Sequence, residues 1–271
     1  MNLKLGHINT VVTSSSILAK QVTQRQNLSF SRRSIPDGLY ACNHSVVWLP
    51  VNSQWRTLRK NMNSHIMPGN NIDVSKHLRR EKVQELIENC HKSVRNCEAV
   101  NVGRAEFKDL MGNIMVEAGK PNLVYYSPFL EKIDPQGTDA TSNTFEWAMA
   151  ELLKNLHILE KAQEELAQVI VKGKLIDEAD VTELPYLRCI VKETIRIHPQ
   201  SPFLIPRKAE EDVELSGYII SKDSQVLVNV WEIGHDASLW EDPLDVKPER
   251  FWESDMDIRD PDFELIPFDA C

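Results

Sequence analysis

The stretch PYLRCIVKETIRIHP, residues 185–199, decides how the rest of the 271-residue chain is read. A helix is expected from Pro185 to Ile197. Pro185 suits the first turn, where its missing N–H costs nothing, and His198-Pro199 closes the helix because a residue before proline is pushed out of the helical region. Within it, Glu193 and Arg196 stand three apart on one face, as a carboxylate–guanidinium pair. Exposed, such a pair is worth only a few tenths of a kcal/mol. A second arginine forking onto the same carboxylate would make a three-member buried network, and Arg250 in the downstream segment Pro248-Glu249-Arg250-Phe251 is the candidate.

Downstream, FLIPRK (203–208), VELSGYIIS (213–221) and QVLVNVW (225–231) are short runs rich in Val and Ile between turn residues. They predict a small antiparallel sheet. SLWEDPLDVKPERFW (238–252) reads as irregular, and FELIPFDAC (263–271) follows it. Upstream, Asp180 with Glu183 is expected to open the helix that runs to Ile197. Asn143 with Glu146 marks the start of another, from Thr144 to Val171 with a break at Asn155. GKPNLVYYSPFLEKIDPQG (119–137), with three prolines, is an irregular connection. Lys76–Arg95 carries Leu78, Val83, Leu86, Ile87, Cys90 and Val94 on one face and is a second amphipathic helix. Trp55–Ile66 also has helical spacing. LKLGHINTVV (3–12) reads as a hairpin-like pair of strands around Gly6.

Composition bounds the class. Apolar residues make up 42% and charged residues 26%, enough to build a core, and ten Gly and fourteen Pro exclude collagen-like sequence. No run reaches the roughly 18 apolar residues of a membrane span. Five scattered cysteines, Cys42, Cys90, Cys97, Cys189 and Cys271, give no disulfide framework and point to a reducing compartment. Cys90, His91 and Cys97 fit a helix's core stripe as well as a metal site, and no Cys-x-x-Cys supports zinc. The net charge of −9 is uneven: residues 1–108 hold an excess of Lys and Arg, and the remainder is acidic. That asymmetry reads as solvated helix faces or as a docking face for an acidic partner. Zinc-finger and RNA-binding motifs are absent, so nucleic acid is not expected. Gly-x-Ser-x-Gly and His-Glu-x-x-His motifs are absent too.

Three ordered motifs, Glu193/Arg196, PERF at 248–251 and FELIPF at 263–268, resemble the cytochrome P-450 haem-thiolate monooxygenases. Trp55-Arg56-Thr57-Leu58-Arg59 resembles that family's helix with Trp and Arg four apart. Gly137-Thr138-Asp139-Ala140-Thr141 resembles the oxygen-binding turn of its long central helix. The wording of SIPDG, EAGKPN, KIDPQG and VLVNVW is most similar to a plant geraniol hydroxylase-like branch that acts on monoterpenoids.

The resemblance implies one incomplete domain over 1–271, mainly α with a small antiparallel β part (α+β). It divides into strands and basic helices (1–135), central and Glu-x-x-Arg helices (136–200), and β segments with the PERF meander (201–271). It implies a haem whose iron is held by a cysteine thiolate, Cys271 here, which favours O–O cleavage. Trp55, Arg59 and Arg207 would hold the propionates, and Asp139 and Thr141 would serve proton delivery. Glu193, Arg196 and Arg250 would fix the scaffold behind the cysteine loop. The implied partners are a small hydrophobic substrate and a cytochrome P-450 reductase passing electrons from NADPH. The family sits on the cytoplasmic face of the endoplasmic reticulum. With no anchor in this sequence, a soluble chain is expected.

Two departures define the alternative. Pro267-Phe268-Asp269-Ala270-Cys271 places the cysteine earlier than the family's loop does, and Ala140 stands where the family commonly has Thr. Abrupt junctions at EFKDLMGNIMVEAGK (106–120) and where KIDPQG runs into TDATSNT (132–144) read as excised stretches that in the family line the substrate pocket. The alternative is therefore a catalytically inactive remnant, or a mis-assembled gene model, without native haem ligation. A second alternative is a helical interaction protein using its basic face.

Overall fold

The computed structural model describes residues 1–33, 46, 49–66, 76–96, 135–170, 178–254, 256 and 264–266, with side chains in the 135–170 stretch described from 143 onward. Cys42, Cys97, Cys271 and the expected connection over 119–134 lie outside them. Two compact units result, residues 1–51 with 147–271 and residues 52–146, each described by itself. The fold is α+β.

The first unit is organised by a five-stranded sheet in the order β1-β2-β7-β4-β3. Its strands are β1 (Asn2–Leu5), β2 (Ile8–Thr13), β3 (Arg32–Arg33), β4 (Arg207–Lys208) and β7 (Gln225–Val228). The strands after residue 202 pair antiparallel as expected, and the sheet as a whole is mixed because β2 pairs parallel with β7 from Thr10↔Gln225 to Thr13↔Val228 while its other pairings are antiparallel. The β1–β2 hairpin leaves one edge open, and β7 fills it running the same way. Thr10 donates its hydroxyl to Gln225 Oε1 (3.2 Å) and Thr13 to the Leu227 carbonyl (3.2 Å). A separate hairpin joins β5 (Val213–Leu215) to β6 (Tyr218–Ile220). Its two-residue turn, Ser216 at φ 50° and Gly217 at φ 82°, has both positions left-handed, which matches the right-handed twist of the flanking strands.

Val226 and Val228 pack the sheet's core together with Ala19, Val22, Phe30, Ile220 and Ile233. Ala19 belongs to α1 (Ser16–Lys20), which continues through Gln21–Arg25 in wider π-type turns. FLIPRK forms a strand only over its last two residues. VNVW turns into the short helix α7 (Val230–Gly234), because the Asn229 side chain accepts the Glu232 N–H and caps it.

In the second unit, α2 spans Ser53–Asn61 and continues in π-type turns to Ile66; α3 spans Lys76–Asn96. The apolar stripe of α3 is not a core face here. None of its residues is buried, and Val83, Ile87 and Val94 are exposed.

Helix α4 runs from Pro135 to Lys154, nine residues further back than Asn143 and Glu146 predict. Proline is at home in a first turn, so Asn143 falls inside the helix and caps nothing. Asn155 does break the run, and α5 follows over Leu156–Val169. Helix α6 occupies Pro185–Ile197, with the bounds read from the sequence. The Asp180/Glu183 pair does not cap it, because residues 178–183 form their own 3-10 turn. Among the described residues no helix is long and apolar enough to cross a membrane.

Candidate functional site

The site is built on α6. Seven of its thirteen residues are buried, including Glu193 and Arg196, whose side chains have no solvent exposure. A buried ion pair is tolerated only when its remaining lone pairs and protons are satisfied, and here they are. Arg196 forks onto Glu193 through Nε and Nη2, both at 2.8 Å. Its Nη1 donates to the carbonyls of Gly234 (2.5 Å) and Pro243 (2.8 Å), and Nη2 also to that of Asp245 (3.3 Å). The guanidinium lies 5.2 Å from the centroid of the Trp240 ring, whose indole N–H donates to the Ile233 carbonyl.

Glu193 Oε1 takes two further donors, the Lys247 N–H (2.8 Å) and Arg250 Nε (3.1 Å). Arg250 in turn donates to the carbonyls of Glu241, Asp242 and Asp245. One carboxylate and two guanidiniums thus bind α6 to the loop 234–250 through five carbonyl oxygens and one backbone N–H, with the Glu193–Arg196 centre dry. Gly234 is required by this arrangement: a Cβ there would come 2.5 Å from the Arg196 carbonyl oxygen.

A second face of α6 holds the chain that follows PERF. Cys189 packs with Trp240, Phe251 and Leu265, and Lys192 donates to the Met256 carbonyl. Burial raises the Cys189 thiol above its ordinary value, so this cysteine is an inert core residue. At the end of α6, His198 stacks on Trp147 (centroids 4.0 Å apart) and its Nε2 lies 3.1 Å from Glu151 Oε1, tying α6 to α4.

The structure brings together Glu193, Arg196 and Arg250. Arg207 is buried on β4; its Nε has no hydrogen bond, although the residue has an interaction of its own. Trp55 and Arg59 stand one turn apart on α2, both half-buried, with the Asn52 side chain accepting the Trp55 N–H to cap that helix. Asp139 and Thr141 fall within α4, their side chains outside the described residues, and Cys271 is outside them altogether. No metal-binding group of His, Cys, Asp and Glu occurs among the described residues. Each by itself, the buried guanidinium on β4 and the indole and guanidinium one turn apart on α2 have the chemistry that a carboxylate such as a propionate needs.

Sequence reasoning missed Glu165. Its carboxylate, on α5, accepts the N–H groups of Tyr186 (2.6 Å) and Leu187 (2.9 Å), satisfying the first turn of α6 from another helix. No local signal marks such a cap.

Known proteins agree with this architecture. The Cytochrome P-450 family model matches residues 135–270. Geraniol 8-hydroxylase of Catharanthus roseus is 46% identical over 367 aligned residues, covering all of this chain and 74% of its own length. Geraniol 8-hydroxylase of Swertia mussotii is 44% identical with the same coverage. Both alignments span 367 residues against the chain's 271, so the relatives carry internal stretches that this chain lacks. A zebrafish cytochrome P-450 solved with progesterone superposes with a TM-score of 0.72 at 21% identity, covering all of this chain and 82% of that one. With a buried carboxylate gripped by two guanidiniums, and that identity along its whole length, the chain belongs to the cytochrome P-450 monooxygenase family, whose cofactor is haem.

Proposed function

We propose that the chain hydroxylates a small hydrophobic, monoterpenoid-like substrate, using haem and electrons passed from NADPH by a reductase. The Glu193–Arg196–Arg250 network carries the reading: a dry lock between α6 and the loop 234–250 is of use where a following segment must be presented rigidly. The substrate class rests on the two geraniol 8-hydroxylases.

When bound, a haem held by a cysteine thiolate supplies activation of dioxygen. Trp55, Arg59 and Arg207 would hold its propionates, and Cys271 would be the thiolate donor. Asp139 would carry the proton on its carboxyl group, and Thr141 would hand it on by its hydroxyl. Ala140 stands between them, and Thr141 lies two positions, about 200°, beyond Asp139 round the helix.

A second reading is favoured by the internal stretches that the relatives have and this chain lacks. It makes the chain a non-catalytic remnant. One experiment separates the two: titrate the chain with haem, record the reduced carbon-monoxide-bound spectrum, and assay geraniol oxidation with reductase and NADPH. A strongly red-shifted, thiolate-type Soret band with a hydroxylated product establishes the monooxygenase. Haem binding without that band, or no stoichiometric binding, establishes the remnant.

A further inference from the structure

Besides the packing of Phe251 near Cys189, the PERF turn makes polar contacts with α6 at two places. Tyr186 and Glu193 are seven residues apart, nearly two full turns, and so share a face at a spacing of about 10.5 Å along the axis. Arg250 reaches Glu193. Its neighbour Glu249 goes to the other end, where Glu249 Oε1 accepts the Tyr186 O–H (3.0 Å) and Lys161 Nζ (2.8 Å) from α5. The Lys161 ammonium also lies over the Tyr186 ring, 4.3 Å from its centroid, and 5.8 Å from that of Trp252. Tyr186 and Trp252 are themselves 6.1 Å apart. One turn further along α5, Glu165 caps the N-terminus of α6 at Tyr186 and Leu187.

We propose that Lys161, Tyr186 and Glu249 form a positioning clasp that fixes the angle of the PERF turn about α6. Arg250, the Lys247 N–H and the buried Phe251 anchor the turn toward the Glu193 end; the Tyr186–Glu249 contact, two helical turns away, fixes its other end and so its direction. That direction sets where the chain beyond Trp252 leaves for the cysteine, and this last step rests on the haem reading above.

An exposed ion pair by itself would achieve little. Here the pair is joined to Tyr186, which is only 2% exposed, so parting Glu249 from it strands a buried phenol. Burial and then the Glu249 carboxylate push the Tyr186 phenol well above its ordinary value, keeping it a donor. Burial by itself would raise the Glu249 carboxyl, but the hydrogen bonds from Lys161 and Tyr186, together with a backbone one, outweigh it and keep it ionised. The two grips differ in kind. The Arg250–Glu193 grip is nearly buried, with side chains 10% and 0% exposed, whereas the side chains of Glu249 and Lys161 are 52% and 48% exposed, so the clasp can open while the core stays shut.

The test compares the full chain with Lys161→Met, Lys161→Arg and Glu249→Gln. Without haem, hydrogen exchange at residues 249–254 is expected to quicken about tenfold in Lys161→Met and Glu249→Gln, while exchange of the α6 interior holds. Lys161→Arg keeps the cation and restores the unmodified pattern. After haem loading, at a temperature where every variant is folded, Lys161→Met and Glu249→Gln lower the fraction with a thiolate-type carbon-monoxide spectrum, and Lys161→Arg does not. Unchanged exchange at 249–254, or quickening spread evenly over α6, overturns the clasp. If the unmodified chain gives no thiolate-type spectrum, the haem reading fails, and the exchange data still decide the clasp.

Discussion

Helices α3 and α6 both carry an apolar stripe in the sequence, the sharper one on α6, yet α6 buries seven of thirteen residues and α3 buries none of twenty-one. Periodicity says which face a helix would bury. Whether that face is covered depends on other parts of the chain. Residues 202–256 wrap α6 with carbonyls, an indole and a second guanidinium, and that wrapping turns an ordinary i,i+3 pair into a dry lock.

The contrast can be broken most sharply at its centre. Glu193→Ala leaves Arg196 and Arg250 without their carboxylate, and urea unfolding should register a loss of about 3–5 kcal/mol. Gly234→Ala pushes a methyl group against the Arg196 carbonyl oxygen, and its cost should be about 1–3 kcal/mol by the same measurement. The pH dependence sharpens the comparison at the clasp. Because the Glu249 carboxyl is held below its ordinary 4.5, its contribution is complete above that pH and fades as acid protonates the folded state. Acid titration followed by circular dichroism should therefore show a shallower decline for Glu249→Gln than for the unmodified chain. At the other extreme, Val94→Thr on the exposed stripe of α3 should change thermal stability by less than about 0.5 kcal/mol.

How much could be read from the sequence follows from the range of each interaction. The bounds of α6 were legible because Pro185 and Pro199 are local covalent constraints, and Glu193 and Arg196 share a face by helical spacing alone. The Arg250 contact could be anticipated only as a candidate, since 57 residues separate it from Glu193. The Glu165 cap, the carbonyls of Gly234, Pro243 and Asp245, and the Lys161 contacts had no local signature. Asn143 shows the reverse failure: a sound capping pattern is silent inside a helix that already began at Pro135. The strands after residue 202 pair antiparallel as read, β4 with β7 and β5 with β6, but the parallel partner of the 3–12 hairpin was not legible. Hairpins announce themselves through their turns, whereas a parallel pair between residues 10–13 and 225–228 has no connection short enough to read.

That parallel pair also sets a timetable. Made at roughly 5–20 residues per second, the chain exposes β1 and β2 long before β7 exists, and a lone two-stranded ribbon is marginal in water. The edge of β2 that will receive β7 must wait through more than two hundred residues of synthesis, open to pairing with other chains. Closure of the sheet is therefore a late step, dominated by contacts between distant parts of the chain, and the acquisition of the native state should be slow and chaperone-sensitive.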